Sequence, residues 1–211
     1  MAKSAGAAAR SRTADDLAER IVDAAIACGE EVGWENVRLR HVADRLGVPV
    51  SEIGARFADL DAVANAWFGR GWKAMQQPLP PEVLALPARD RLEEVLWRWF
   101  QTLGTHRQIT VQMLKTKLWP FHPHHWLPLP FNLSRTIQWL RDVAGCDAKA
   151  PRRELEEIGL TWLFLATLAI WSRDGSDHQQ HTRRFLRHRL INASSLLTLL
   201  FGAQRSTPGT H

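Results

Sequence analysis

Apolar residues recur at helical spacing from Leu17 onward, with Leu17, Ile21, Ala25 and Cys28 on one stripe. The stripe breaks at Gly33-Trp34. A shorter run follows through Leu39, Val42, Ala43 and Leu46 and predicts a second, brief helix. Gly47-Val48-Pro49 reads as a turn, because glycine admits a left-handed backbone and proline cannot continue a helix. The next block, Val50-Ser51-Glu52-Ile53-Gly54-Ala55-Arg56-Phe57, predicts a third short helix held by its apolar members. Asp59 is placed to cap a fourth helix, whose stripe is Leu60, Val63, Ala64, Trp67 and Phe68 and which extends to about Met75.

Pro78, Pro80, Pro81 and Pro87 interrupt the pattern, and no helix can run unbroken through them. Helical patterning resumes over 89–103 and again over 108–118. The stretch from Trp119 to Phe131 carries Pro120, Pro123, Pro128 and Pro130 and is expected to be a loop. Further helices are predicted over 132–144, 153–172 and 178–201, separated by Gly145-Cys146-Asp147 and Asp174-Gly175-Ser176. Strand-like alternation is absent, so the chain is predicted to be all-α. Four segments follow: a disordered basic arm at 1–12, a helix-turn-helix head at 13–75, a second helical domain at 76–203 and a flexible tail at 204–211. Thr13, with Asp16 after it, is the expected cap of the first long helix.

The spacing over 13–75 closely resembles the TetR family of one-component transcriptional regulators. Trp34, Val42, Ala43, Gly47, Val48, Ile53, Phe57, Asp59 and Val63 occupy the family's framework positions. The resemblance implies a head whose second helix enters the major groove of operator DNA, with an effector-binding and dimerisation domain behind it. It also exposes departures on the reading face. Arg38 stands where a Thr usually caps helix two, and Pro49 where a Ser often caps the recognition helix. Val50 replaces a frequent Lys, and Leu60 stands where a Lys often touches the backbone. Glu52 adds an acid, and Gly54-Ala55 replace the family's phosphate-contacting pair. Arg38, Arg40, His41, Arg45, Ser51, Glu52 and Arg56 remain as candidate DNA contacts.

Charge changes the picture. The chain of 211 residues has a net charge of +5, yet residues 1–75 hold ten Lys/Arg against eleven Asp/Glu. The whole basic excess lies in the second domain, the reverse of what a DNA-binding head leads one to expect. The arm, with Lys3, Arg10 and Arg12, resembles arms that enter the minor groove. Cys28 falls on a helical apolar stripe and is read as a reduced core thiol. The N-terminus has no apolar core of a signal peptide, and the uncharged run Ile158–Ser172 is shorter than the ~20 residues a spanning helix needs. A cytoplasmic protein is expected. No nucleophile–base pair, phosphate loop or carboxylate pair is recognisable, so no enzyme activity and no cofactor are expected.

Ten tryptophans and no tyrosine point to an apolar pocket, with Trp97, Phe100, Trp119, Trp126, Trp139, Trp162 and Phe164 as candidate ligand contacts for an apolar small molecule or lipid. His122, His124 and His125 share a loop without Cys, Asp or Glu, and no metal is expected there. Ile158 to Trp171 is apolar nearly all round, and Leu186, Leu190, Ile191, Leu197 and Phe201 add a second apolar helix. Resemblance to the TetR dimer interface makes Leu168, Trp171, Leu186, Leu190, Leu197 and Phe201 the expected contacts of a homodimer. Residues 158–190 are also similar to the coenzyme-Q biosynthesis lipid-binding family, whose members keep this fold, lack typical DNA contacts and bind isoprenoid lipids at membranes. Arg183, Arg184, Arg187 and Arg189 would then face anionic lipid. Two readings therefore stand: a ligand-responsive regulator binding operator DNA, and a lipid-binding accessory protein of the quinone-biosynthesis type.

Overall fold

The computed structural model describes the backbone of residues 2–117, 137–140 and 152–201, and side chains within 15–117, 137–140 and 154–195. Every regular element among them is helical. The first helix, α1, runs Ala2–Val32. The arm expected at 1–12 is thus helical from Ala2, and Thr13 lies inside the helix rather than at its start. Alanine pays no side-chain entropy in a helix, and the Ala-rich opening continues the α1 backbone upstream of Thr13. The helix stops at Gly33, whose φ of +82° is open to glycine but strained for other residues. A 3-10 turn, Trp34–Asn36, leads to α2, Leu39–Leu46.

Gly47 ends α2 in the left-handed region at φ +66°, and its N–H closes onto the last helical carbonyls. A residue with a Cβ would be penalised there by about 1 kcal/mol. The chain reverses and enters α3, Val50–Gly54, after the extended Pro49. Asp59 accepts the Ala62 N–H at 2.7 Å and caps α4, Leu60–Met75. A single turn, α5 at Pro81–Leu84, forms within the proline-rich joint because proline's missing N–H costs nothing at the first helical position. Then follow α6, Ala88–Gly104, and α7, Arg107–Lys117. After the described stretch 137–140 come α8, Arg152–Trp171, a 3-10 turn at Asp177–Gln179 and α9, Gln180–Phe201. The Trp119–Phe131 segment, most of the 132–144 helix and the 204–211 tail lie outside the described residues.

The described residues form two compact units. The first contains α1 to α4 as far as Ala74, together with 102–117, which the sequence pattern had assigned to the second domain. Tertiary burial explains the regrouping. Ile109 and Met113 of α7 are sealed in the same core as Ile21, Val42, Ile53 and Val63, and Thr110 accepts the Trp67 indole N–H at 2.9 Å. Arg70 of α4 spans to Glu19 and Asp23 of α1 and locks those two helices side by side.

The second unit comprises 75–101 and the described residues of 137–140 and 152–201. Its centre is an aromatic cluster. Trp99 meets Phe164 edge-on at 5.2 Å between ring centroids, and Phe100 lies 5.7 Å from Phe164 and 5.9 Å from Trp171. Leu186 and Leu190 of α9 are buried with it.

Candidate nucleic-acid interface

The turn at Gly47 sets α2 and α3 as a helix-turn-helix pair. Val42, Ala43, Ile53 and Phe57 are buried, Leu39, His41 and Leu46 are half-buried, and the other residues of both helices are exposed. Arg38, Arg40, Arg45, Ser51, Glu52 and Arg56 are all exposed, and His41 is half-buried. Candidate contacts from two helices and their connection are therefore brought into one segment.

Local bonding already engages several of them. Arg38 occupies the cap position of α2 in extended conformation and makes no side-chain cap bond, because a guanidinium only donates. Its Nη1 instead donates to the carbonyls of Glu35 and Val37, each at 2.8 Å. Arg56 Nη1 donates to the Glu52 carbonyl at 2.9 Å. Arg40 Nε approaches His41 Nε2 at 3.5 Å. Arg45 is held in a two-pronged pair with Glu31 of α1, at 2.5 and 3.1 Å, and its Nη1 also lies 3.5 Å from the buried Cys28 sulfur. The hydrogen bond with Arg45 lowers the Glu31 carboxyl, and the same bond raises the Arg45 guanidinium above its ordinary value. The charge of Arg45 is thus answered within the protein. Glu31 gave no local signal of this role, since the pair joins residues on different helices.

The tip of α3 is bare. Nothing lies within 4 Å of where a Cβ on Gly54 would stand, and Val50 is 46% exposed. Such a surface grips phosphate weakly, yet its apolar residues can approach a base edge closely.

The candidate ligand contacts of the second unit divide. Phe100 and Phe164 pack on each other and on Trp99, a cluster member that the sequence pattern had not singled out. Trp97 is buried with the Arg183 guanidinium 5.3 Å from its ring centre, and Trp139 is half-buried. Trp162 is 69% exposed and so lines no interior pocket in this chain. Trp119, Trp126 and the three loop histidines lie outside the described residues. A groove of about 460 Å³ at the α8–α9 turn is lined by Ala169, Ile170, Arg173, Asp174 and His181, with none of the candidate aromatics.

The expected dimer contacts are placed as follows. Trp171 and Leu186 are fully buried and Leu190 is 4% exposed, because their side chains face the aromatic core of their own chain. Leu168 is half-buried, and the side chains of Leu197 and Phe201 lie outside the described ones. Among the described residues, Leu155, Ile158, Trp162 and Leu165 of α8 are exposed apolar side chains at helical spacing, and Ile191 of α9 is exposed as well. Of the basic residues on α9, Arg187 donates to the buried Glu93 at 2.9 and 3.1 Å, Arg183 lies 3.7 Å from it, and Arg189 stacks over Phe185. Among the described residues no helix is long and apolar enough to cross a membrane.

A helix-turn-helix unit joined to a separate helical unit with an open apolar helix face is the plan of a one-component regulator. No protein-family model and no curated protein matches the sequence. Solved structures do. A TetR transcriptional regulator from Nitrosomonas europaea is 33% identical with a TM-score of 0.77, covering 85% of this chain and 99% of that one. A TetR transcriptional regulator from Rhodococcus sp. RHA1 is 18% identical at a TM-score of 0.57, covering 83% and 95%. Another transcriptional regulator from that organism, 15% identical at 0.53 and covering 89% and 98%, shares the fold. This chain belongs to the TetR family of transcriptional regulators.

Proposed function

We propose that the chain is a homodimeric, effector-responsive regulator that binds operator DNA through residues 38–57. The observation that carries this reading is the left-handed Gly47 turn, which presents exposed Arg38, Arg40, Ser51, Glu52 and Arg56 from two helices of one unit. Arg38, Arg40 and Arg56 supply phosphate contacts, with His41 at the margin. Exposed Val50 and Ala55 suit a thymine methyl, and Glu52 suits the exocyclic amine of cytosine. Arg45 joins the interface only when Glu31 releases it. The open stripe Leu155, Ile158, Trp162 and Leu165, with Leu168 beside it, supports pairing of two copies. The two heads would then meet successive major grooves about 34–36 Å apart. The second unit, with its Trp97 and Trp139, takes an apolar effector that changes that separation.

Binding to the chain's own upstream DNA across a salt series tests the reading. Phosphate contacts predict a linear fall of log affinity with log salt, about 10³–10⁵-fold between about 50 and 200 mM for six to ten contacts. Absence of sequence-specific binding in low salt, together with co-purified isoprenoid lipid, overturns it in favour of the lipid-binding accessory reading.

A further inference from the structure

Helix α7 holds the head at both ends of the proposed DNA-reading segment. Ahead of α2, Gln112 Oε1 accepts the backbone N–H of Trp34 at 2.7 Å. That N–H lies past the end of α1 in the 3-10 turn, so a side chain from α7 satisfies it. Beyond α3, Lys117 pairs with Asp61 in the first turn of α4. Lys117 is 8% exposed, and a buried ammonium needs such a counter-charge.

Three further contacts fix α7 itself. Its Ile109 packs tightly on Gly29 of α1, and Thr110 accepts the buried Trp67 indole N–H. Just before it, His106 Nδ1 meets Glu30 at 2.6 Å. The bracketed segment has little hold of its own. Helix α3 is five residues long, and neither α2 nor α3 has a side-chain cap. Helices this short draw their stability from packing rather than from propagation.

We propose that Gln112 and Lys117 are positioning residues for operator binding, fixing from one helix the entry into α2 and the exit from α3. The inference rests on the DNA-binding reading of residues 38–57. Base contacts tolerate displacements of only about 0.5 Å, so loosening either end removes contacts without unfolding the unit.

The experiment uses the full chain with Gln112→Leu, which removes the acceptor at similar size, and Gln112→Glu, which restores one. Lys117→Met with Asp61→Asn removes both charges while preserving volume, and replaces the single Lys117→Met if that variant fails to fold. Hydrogen exchange in the free protein should accelerate about tenfold within 38–57 for Gln112→Leu, the scale of one unmade bond to a buried donor. Affinity for a duplex of the upstream DNA should fall by a similar factor with a shallower salt slope, and Gln112→Glu should restore both. Uniform acceleration across the whole unit, or weaker binding at unchanged slope, overturns the proposal, because mere destabilisation lowers the folded fraction without removing contacts. If the parent chain binds no DNA, the DNA-binding reading fails, while exchange within 38–57 still decides whether α7 fixes the segment.

Discussion

At the residue scale, the pair between Arg45 and Glu31 governs how basic the proposed DNA-binding surface is. Both groups sit in solvent, where an ion pair contributes little to stability. The same pair nevertheless removes a cation from the account with phosphate, since a two-pronged carboxylate competes directly for the guanidinium fork. Replacing Glu31 by Gln should raise DNA affinity severalfold at low salt and steepen the log–log salt slope by about one per head. Fluorescence anisotropy on a labelled duplex measures both quantities, and an unchanged slope would place Arg45 off the DNA. The opposite change, Arg56→Ala, should weaken binding across all sequences and leave the dimer intact, which sizing by light scattering checks alongside the titration.

At the element scale, the α8–α9 connection is fastened by one carboxylate. Asp174 accepts the Ser176 N–H and hydroxyl at 2.9 and 2.6 Å through one oxygen, and the Thr182 N–H and hydroxyl at 2.8 and 2.6 Å through the other. Burial alone would raise this carboxyl, but the four donors outweigh it and hold it down to about 2. The turn that Asp174 fastens includes His178 and Gln179, both at positive φ, and the Gln179 side-chain Oε1 accepts the Trp171 indole N–H at 2.6 Å. A carboxylate depressed from an unfolded value of about 3.9 adds stability that is full above about pH 4 and lost as pH falls through about 2. Asp174→Asn should therefore cost about 1–2 kcal/mol at neutral pH. Urea unfolding at pH 7 and again near pH 2 measures this, and the difference between the two proteins should close at the acidic end.

At the scale of the whole molecule, α8 divides its apolar residues between two uses. Phe164 and Trp171 close the chain's own core, while Ile158, Trp162 and Leu165 are 57%, 69% and 42% exposed. Exposed apolar side chains at helical spacing on a helix that also closes a core support the proposed pairing with a second copy. Ile158→Asp combined with Trp162→Asp should convert the proposed dimer to monomer without loss of helix content, because neither side chain supports the core. Sedimentation velocity and far-ultraviolet circular dichroism report the two parts separately. Operator affinity should drop in the monomeric variant, since the second head then binds as an independent event.

From Leu17 to Phe68 the amino-acid sequence by itself determined the local elements, and with them the family. Glycine at Gly47, the Asp59 cap and the Leu17–Phe68 framework act over a few residues through backbone sterics and helical period, which a linear pattern records. The all-α class was legible for the same reason. Residues on distant segments follow a different rule, because their partners are chosen by packing. Helix α8 is apolar nearly all round, so periodicity could not decide that Trp171 turns inward and Trp162 outward. Nothing near Arg45 in the chain announces Glu31, and nothing in α7 announces that Gln112 reaches Trp34. Only the tertiary structure joined α7 to the head and set which charges and apolar faces remain free, because burial and pairing are decided between elements rather than within them.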